Sequence, residues 1–264
     1  MSALDWMERV LWTLTFAAQL VLLVVLMGRE RARRFPWFTV GVAIFALRLM
    51  AEVLLSGRLA MVPFTVTTLT LANLATIVSL LVLVEVARRA FAGAQRPLWI
   101  VNAAGLVVLG GGILALWGPW PARQELALDT LLGRLRIMQL MAQKGDLLVA
   151  VISVGLLALL LLFGRRFKAG WRSHALMIGI GLGAEAIASL AIQGGLQYAI
   201  AKHFFHSRAD FDQVRTILAF TYQAIFFAAF VWWIAWMWQD EPGAAAADDS
   251  AESEEPSPSG DKEE

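Results

Sequence analysis

The chain has 264 residues, of which 59% are hydrophobic and 16% charged, with a mean hydropathy of +0.65 and a formal net charge of +1. A soluble domain carries about 25% charged residues, so this composition excludes a water-soluble globule and points to a polytopic membrane protein. There is no cysteine, which excludes disulfides, thiolate metal sites and cysteine nucleophiles.

The small net charge hides an asymmetry. Residues 240–264 hold ten acidic side chains and one Lys, leaving residues 1–239 with 21 Lys+Arg against 11 Asp+Glu. A membrane-crossing helix needs roughly 20 mostly apolar residues. Seven stretches qualify in chain order: about 8–28, 36–56, 64–87, 97–117, 144–163, 173–195 and 213–238. The expected fold is therefore all-α, with a seven-helix transmembrane domain over 1–239. The first stretch is not expected to be a cleaved signal. Its leader MSALDWMER is not basic, the apolar run is long, and no small-x-small site follows.

The loops set an expected orientation. "GRERARR" (28–34), "ARRAFAGAQR" (87–96) and "GRRFKAGWR" (164–172) hold 11 Lys+Arg in 26 residues and fall on one side if seven helices alternate. That side is expected to be cytoplasmic, with the N-terminus out and the C-terminus in, as in a bacterial inner-membrane protein. Tryptophans mark the expected boundaries: Trp37, Trp99, Trp171, Trp232, Trp233, Trp236 and Trp238 inside, Trp6, Trp12, Trp117 and Trp120 outside.

Between the fourth and fifth spans, Leu128, Leu131, Leu132, Leu135 and Met138 recur at helical spacing with Arg and Gln between them. This predicts an amphipathic outer helix over about 122–143, lying in the interface or extending the fifth span outward. Beyond the seventh span, "QDEPGAAAADDSAESEEPSPSGDKEE" is acidic and rich in Ala, Ser and Pro. Such a segment buries too little apolar surface to offset its ordering entropy, so 240–264 is expected to be a disordered tail. Its charge keeps it off an anionic leaflet.

Residues 26–52 can be laid over 162–188 without gaps. A three-plus-one-plus-three plan with parallel repeats is one reading. The other is that any two spans joined by a short basic loop look alike.

Ionisable groups inside a span normally face the bundle interior. Arg48 stands 12 residues beyond Pro36, and Glu185 stands 12 beyond Ser173. Both lie roughly 18 Å into their spans at about 1.5 Å per residue. An Arg48–Glu185 pair is expected, with Glu52, one turn beyond Arg48, as an alternative or additional partner. Asn73, Gln193, Tyr222 and Gln223 lie at middle or outer depth. With Arg48, Glu52 and Glu185 they form a candidate ligand or ion site, or else act as interhelical glue.

"HFFHSRADFD" (203–212) carries a weak His–carboxylate pattern and reads as an ordinary loop, so no metal site is expected. The seventh span has no lysine for a retinal Schiff base, and His174 has no partner histidine in another span, so no cofactor is expected. No phosphate loop or common hydrolase signature occurs, and neither enzymatic activity nor nucleic-acid binding is expected. The partners expected are the lipid bilayer and a cytoplasmic or membrane protein.

Three short motifs carry a resemblance. "RRFPWF" (33–38), "VEVARRAF" (84–91) and "GRRFKAGWRSHAL" (164–176), set on seven spans, resemble an uncharacterised family of bacterial seven-helix inner-membrane proteins of the acidobacterial type. The resemblance covers about 1–240 and implies the fold. It carries no activity or site residues onto this chain. The architecture is also distantly similar to the seven-helix input regions of bacterial sensor kinases, although no kinase or cyclase domain is expected after Trp238. Three functions remain open: a sensor acting through a partner protein, a small-substrate transporter using Arg48 and Glu185, and a structural or accessory subunit.

Overall fold

The computed structural model describes residues 3–91, 105, 108–116, 120, 130–163, 173–205 and 207–240. These residues are overwhelmingly helical, with no strand among them. The elements are α1 (Ala3–Gly28), a single turn α2 (Arg31–Arg34), α3 (Pro36–Leu55), α4 (Met61–Ala90), α5 (Leu131–Phe163), α6 (His174–Ala201) and α7 (Arg208–Trp238). Every one except α2 is long and apolar enough to cross a membrane. With so much apolar side chain left facing outward, the chain is a multi-pass membrane protein whose outer surface is matched to lipid.

The expected fourth span, 97–117, lies mostly outside the described residues, which include a helical stretch at 108–116. Leu148 Cδ1 of α5 lies 3.0 Å from where a Cβ on Gly110 would stand, so this stretch packs against α5. The tail beyond Asp240 and the loop 164–172 lie outside the described residues.

Local signals set the helix ends. Pro36 opens α3 at its first turn, where its missing N–H has no partner to lose. Ser173 caps α6 by accepting from Leu176 N–H. Ser207 and Asp210 form a reciprocal capping box at the start of α7, which commits Asp210 to a structural bond. After α3 the chain turns through Gly57, whose φ of 75° suits a residue without Cβ.

The six long helices close a ring in chain order. α1 packs on α3, α3 on α4, α4 on α5, α5 on α6, α6 on α7, and α7 returns to α1. Side-chain contacts give the directions. Asn73 bonds Met138 and Thr76 bonds Asp146, while Val86 and Leu160 both border Gly179, so α4 and α5 run parallel. Leu11 and Trp12 border the start of α7 and Arg29 meets Asp240 at its end, so α1 and α7 run parallel too. The other neighbours in the ring are antiparallel. The sequence α1, α3, α4 is thus repeated in order and direction by α5, α6, α7.

The buried core sits toward one end of the ring, the end carrying the 28–34 loop, and is called the basic end below. Leu22, Leu26, Phe35, Val86, Leu160, Ile178, Phe230 and Met237 form it, all nearly inaccessible. Small residues let the helices close on it. A Cβ at Gly181 would run into the indole of Trp233, and one at Gly183 into Leu157.

Of the two readings of 122–143, the outward extension of the fifth span holds where the segment is described: from Leu131 one helix runs unbroken through Lys144 and Asp146 into that span. Arg134, Arg136, Gln139 and Gln143 stand exposed along that extension. Two expectations are corrected. Trp233 does not belong to a boundary belt. It is 4% exposed, edge-on to both Phe38 and Phe230. Arg48 and Glu185 do not pair, because the helices that carry them, α3 and α6, do not adjoin in the ring.

Candidate functional site

Above the core, toward the other end of the ring, the six helices diverge around a cavity of about 480 Å³ to which every one of them contributes side chains. α6 lines it from Glu185 to Leu196, so it is about 16 Å deep at 1.5 Å per residue. Its rim residues Glu52, Leu196 and Arg215 lie one to two turns from the helix ends at Leu55, Ala201 and Arg208. The floor is aromatic. Phe45 and Phe226 meet edge-on at 5.9 Å, and Phe226 continues through Phe230 (4.9 Å) to Trp233 (5.2 Å) and Phe38. The cavity therefore reaches one end of the bundle and is stopped by packed rings from the other.

Its polar groups come from different helices. On α6 the Glu185 carboxyl accepts a hydrogen bond from the Tyr222 hydroxyl of α7. On α3 Arg48 Nε donates to Glu52 Oε1 at 3.2 Å, one turn along the same helix. On α5 Asp146 Oδ1 lies 3.0 Å from Thr76 Oγ1 of α4. That hydroxyl also lies 3.2 Å from Ala72 O, and its single hydrogen serves one acceptor at a time. Gly145 permits this approach, since a Cβ there would stand 2.5 Å from Thr76 Cγ2. On α6 Gln193 Nε2 donates to Ser189 Oγ at 3.1 Å.

Of the seven residues singled out from sequence, Arg48, Glu52, Glu185, Gln193, Tyr222 and Gln223 line this one cavity. Asn73 does not. Its amide donates to Leu69 O at 2.8 Å and to Met138 O at 3.0 Å, tying α4 to α5. The expected Arg48–Glu185 ion pair is absent. α3 and α6 are not neighbours in the ring, so equal depth does not bring the two side chains together.

Sequence reasoning missed Asp146, Thr76, Ser79, Ser189, Arg215 and Gln19, all of which line the cavity. Asp146 is hidden in the charged run "QKGD", which reads as a loop although the helical spacing begun at Leu128 continues through it. Gln19 stands in plain view in the middle of the first span. It is fully buried, and neither its amide oxygen nor its nitrogen has a hydrogen-bond partner. Arg215 also lines a smaller groove of about 370 Å³ between α1 and α7, beside Leu11 and Trp12. It makes no ion pair among the described residues.

No protein-family model, curated protein or solved structure matches this chain. The function of the cavity therefore rests on its own geometry.

The basic end is tied differently. Arg31 Nη1 lies 2.7 and 2.9 Å from the two ring nitrogens of His174, and Nη2 donates to Gln239 O at 2.6 Å. Arg29 and Arg31 both reach the exposed Asp240. The short loop after α1, the start of α6 and the end of α7 are thereby joined. Glu85 is also committed to structure, because its carboxyl accepts from Phe38 N–H at the first turn of α3, where donors lack partners.

Proposed function

We propose that this chain is a receptor of the bacterial inner membrane that binds a small polar ligand inside the bundle and reports its occupancy at the cytoplasmic face. The observation that carries the reading is the cavity. It has the volume of a small-molecule site, is lined from all six long helices, reaches one end only, and rests on an aromatic floor that runs along α7 to the basic end. A group that moves Tyr222 pushes on Phe226, then Phe230 and Trp233. α7 ends where Gln239 and Asp240 are held by Arg31.

Under this reading there are seven spans. The parallel run of α4 and α5 supports one more crossing in the chain between them, and the helical stretch 108–116 against α5 supports it too. The basic loops put the basic end in the cytoplasm, the N-terminus and cavity mouth outside, and the acidic tail inside, where a partner protein meets it.

A second reading, transport, is favoured by the repeated order and direction of the two three-helix sets, a plan that suits alternating access around a central site. The two are separated in proteoliposomes. Spin labels on cysteines replacing Arg88 and Asp240, at the basic ends of α4 and α7, report the distance between those ends. The receptor reading predicts that this distance changes in Glu185→Gln, while efflux of an entrapped mixture of amino acids, sugars and amines stays at liposome background. Efflux above background that Glu185→Gln abolishes would replace the receptor reading with transport.

A further inference from the structure

The cavity wall is unbalanced in charge and in hydrogen bonding. Glu52, Asp146 and Glu185 face Arg48 and Arg215, leaving one formal negative charge in excess. Arg48 is engaged by Glu52. Among the described residues, the hydrogen-bond partners of Asp146 and Glu185 are only the neutral hydroxyls of Thr76 and Tyr222, while Arg48 attracts Asp146 through space without bonding it. Independently, the Gln19 amide is fully buried on the same wall, with its oxygen and nitrogen both unbonded. Leu11 and Trp12 border the start of α7 and Arg29 meets its end, which sets Gln19 level with the stretch around Tyr222–Phe226. Buried polar groups in native proteins nearly all have a hydrogen-bond partner, so an unpartnered amide on a cavity wall offers its donors and acceptor to water or a ligand.

We propose that the ligand is a small organic ammonium ion, its N–H donors shared between the Asp146 and Glu185 carboxyls and the Gln19 carbonyl, its carbon body against Phe45 and Phe226. This rests on the reading of the cavity as a ligand site. Three features select the class. One excess negative charge matches a monocation. Two carboxyls and a free amide oxygen accept hydrogen bonds, which an N–H cation donates and a quaternary one does not. Aromatic faces at the floor attract a cation and tolerate an apolar body. A bare metal ion fits worse, because no three His, Cys, Asp or Glu side chains come together among the described residues, and the volume far exceeds an ion.

The native chain has no cysteine, so Ser189→Cys places a single thiol in the cavity. Ser79→Cys, deeper on α4, is a second reporter should the first not fold. The full chain in lipid nanodiscs is treated with a water-soluble maleimide in the presence of phenethylammonium, phenylacetate or 2-phenylethanol, which are close in size and differ in charge. The expected result is alkylation slowed by phenethylammonium alone, with the concentration needed for protection raised roughly tenfold or more by Asp146→Asn and by Glu185→Gln. Protection by phenylacetate, equal protection by all three, or none at millimolar concentration would overturn the cation while leaving a water-filled cavity in place. No alkylation at either cysteine would remove the cavity reading, and this proposal with it.

Discussion

Tyr222 on α7 donates its hydroxyl hydrogen to the carboxyl of Glu185 on α6. The bond joins two neighbouring helices at the depth of the cavity floor and is the only side-chain hydrogen bond among the described residues through which Glu185 is held. Removing the donor leaves the acid with no protein partner, whereas an amide in place of the acid still offers an oxygen to the phenol. Tyr222→Phe is therefore expected to destabilise the protein by about 1–3 kcal/mol, and Glu185→Gln by less. Unfolding in detergent micelles, monitored by tryptophan fluorescence, checks the order of the two.

The Arg48–Glu52 pair lies within one helix, and both side chains are about a third exposed. Its coupling in a double-mutant cycle of Arg48→Gln and Glu52→Gln is expected to be small, about 0.3–0.5 kcal/mol. The cycle of Arg48→Gln with Glu185→Gln is expected to be additive within about 0.5 kcal/mol. A larger coupling in the second cycle than in the first would show that the two carboxyls have exchanged roles.

Close helix approach around Trp233 depends on Gly181. Gly181→Ala forces either the indole or α6 to move and is expected to destabilise by about 1–3 kcal/mol, as overpacking does. Gly112, which has open space around its Cβ position, serves as the control and is expected to tolerate Ala. Thermal unfolding in the same nanodiscs compares the two.

Asn73 ties α4 to α5 away from the cavity. Asn73→Leu is expected to lower stability by about 0.6–1.7 kcal/mol, the range of interhelical bonds in membranes. It is expected to leave the alkylation rate of a cysteine at position 189 unchanged. A large change in that rate would bring Asn73 back among the cavity residues.

Much of this architecture is legible in the sequence, and what is not has a physical reason. The six described spans are long apolar runs, and Pro36 and Ser173 announce helix starts by local chemistry alone, whereas Ser207 starts α7 five residues before the apolar run, inside a segment that reads as a loop. Polar residues inside such runs are costly to leave facing lipid, so Arg48, Glu52, Glu185, Gln193, Tyr222 and Gln223 stand out as a group from their positions in the chain alone. Pairing is another matter. Depth along a helix is a one-dimensional coordinate, and it puts Arg48 level with Glu185. The ring places α3 between α1 and α4, and α6 between α5 and α7. Asn73 shows the same gap: the face it presents to Met138 depends on how α4 and α5 meet, which depth does not encode. Asp146 escapes notice because charged residues near an apolar run read as its boundary, whereas here they continue the helix.

A cavity enters the bundle from the end opposite the basic loops and stops at the aromatic floor. Its most direct test is the sidedness of labelling of Ser189→Cys in sealed, oriented membrane vesicles, using a maleimide that does not cross the bilayer. Ala229→Cys, buried beneath the floor, is the companion. Position 189 is predicted to react from the side opposite the basic loops and not from the basic side, and position 229 from neither. Reaction of position 189 from the basic side alone, or from neither side, would contradict the account.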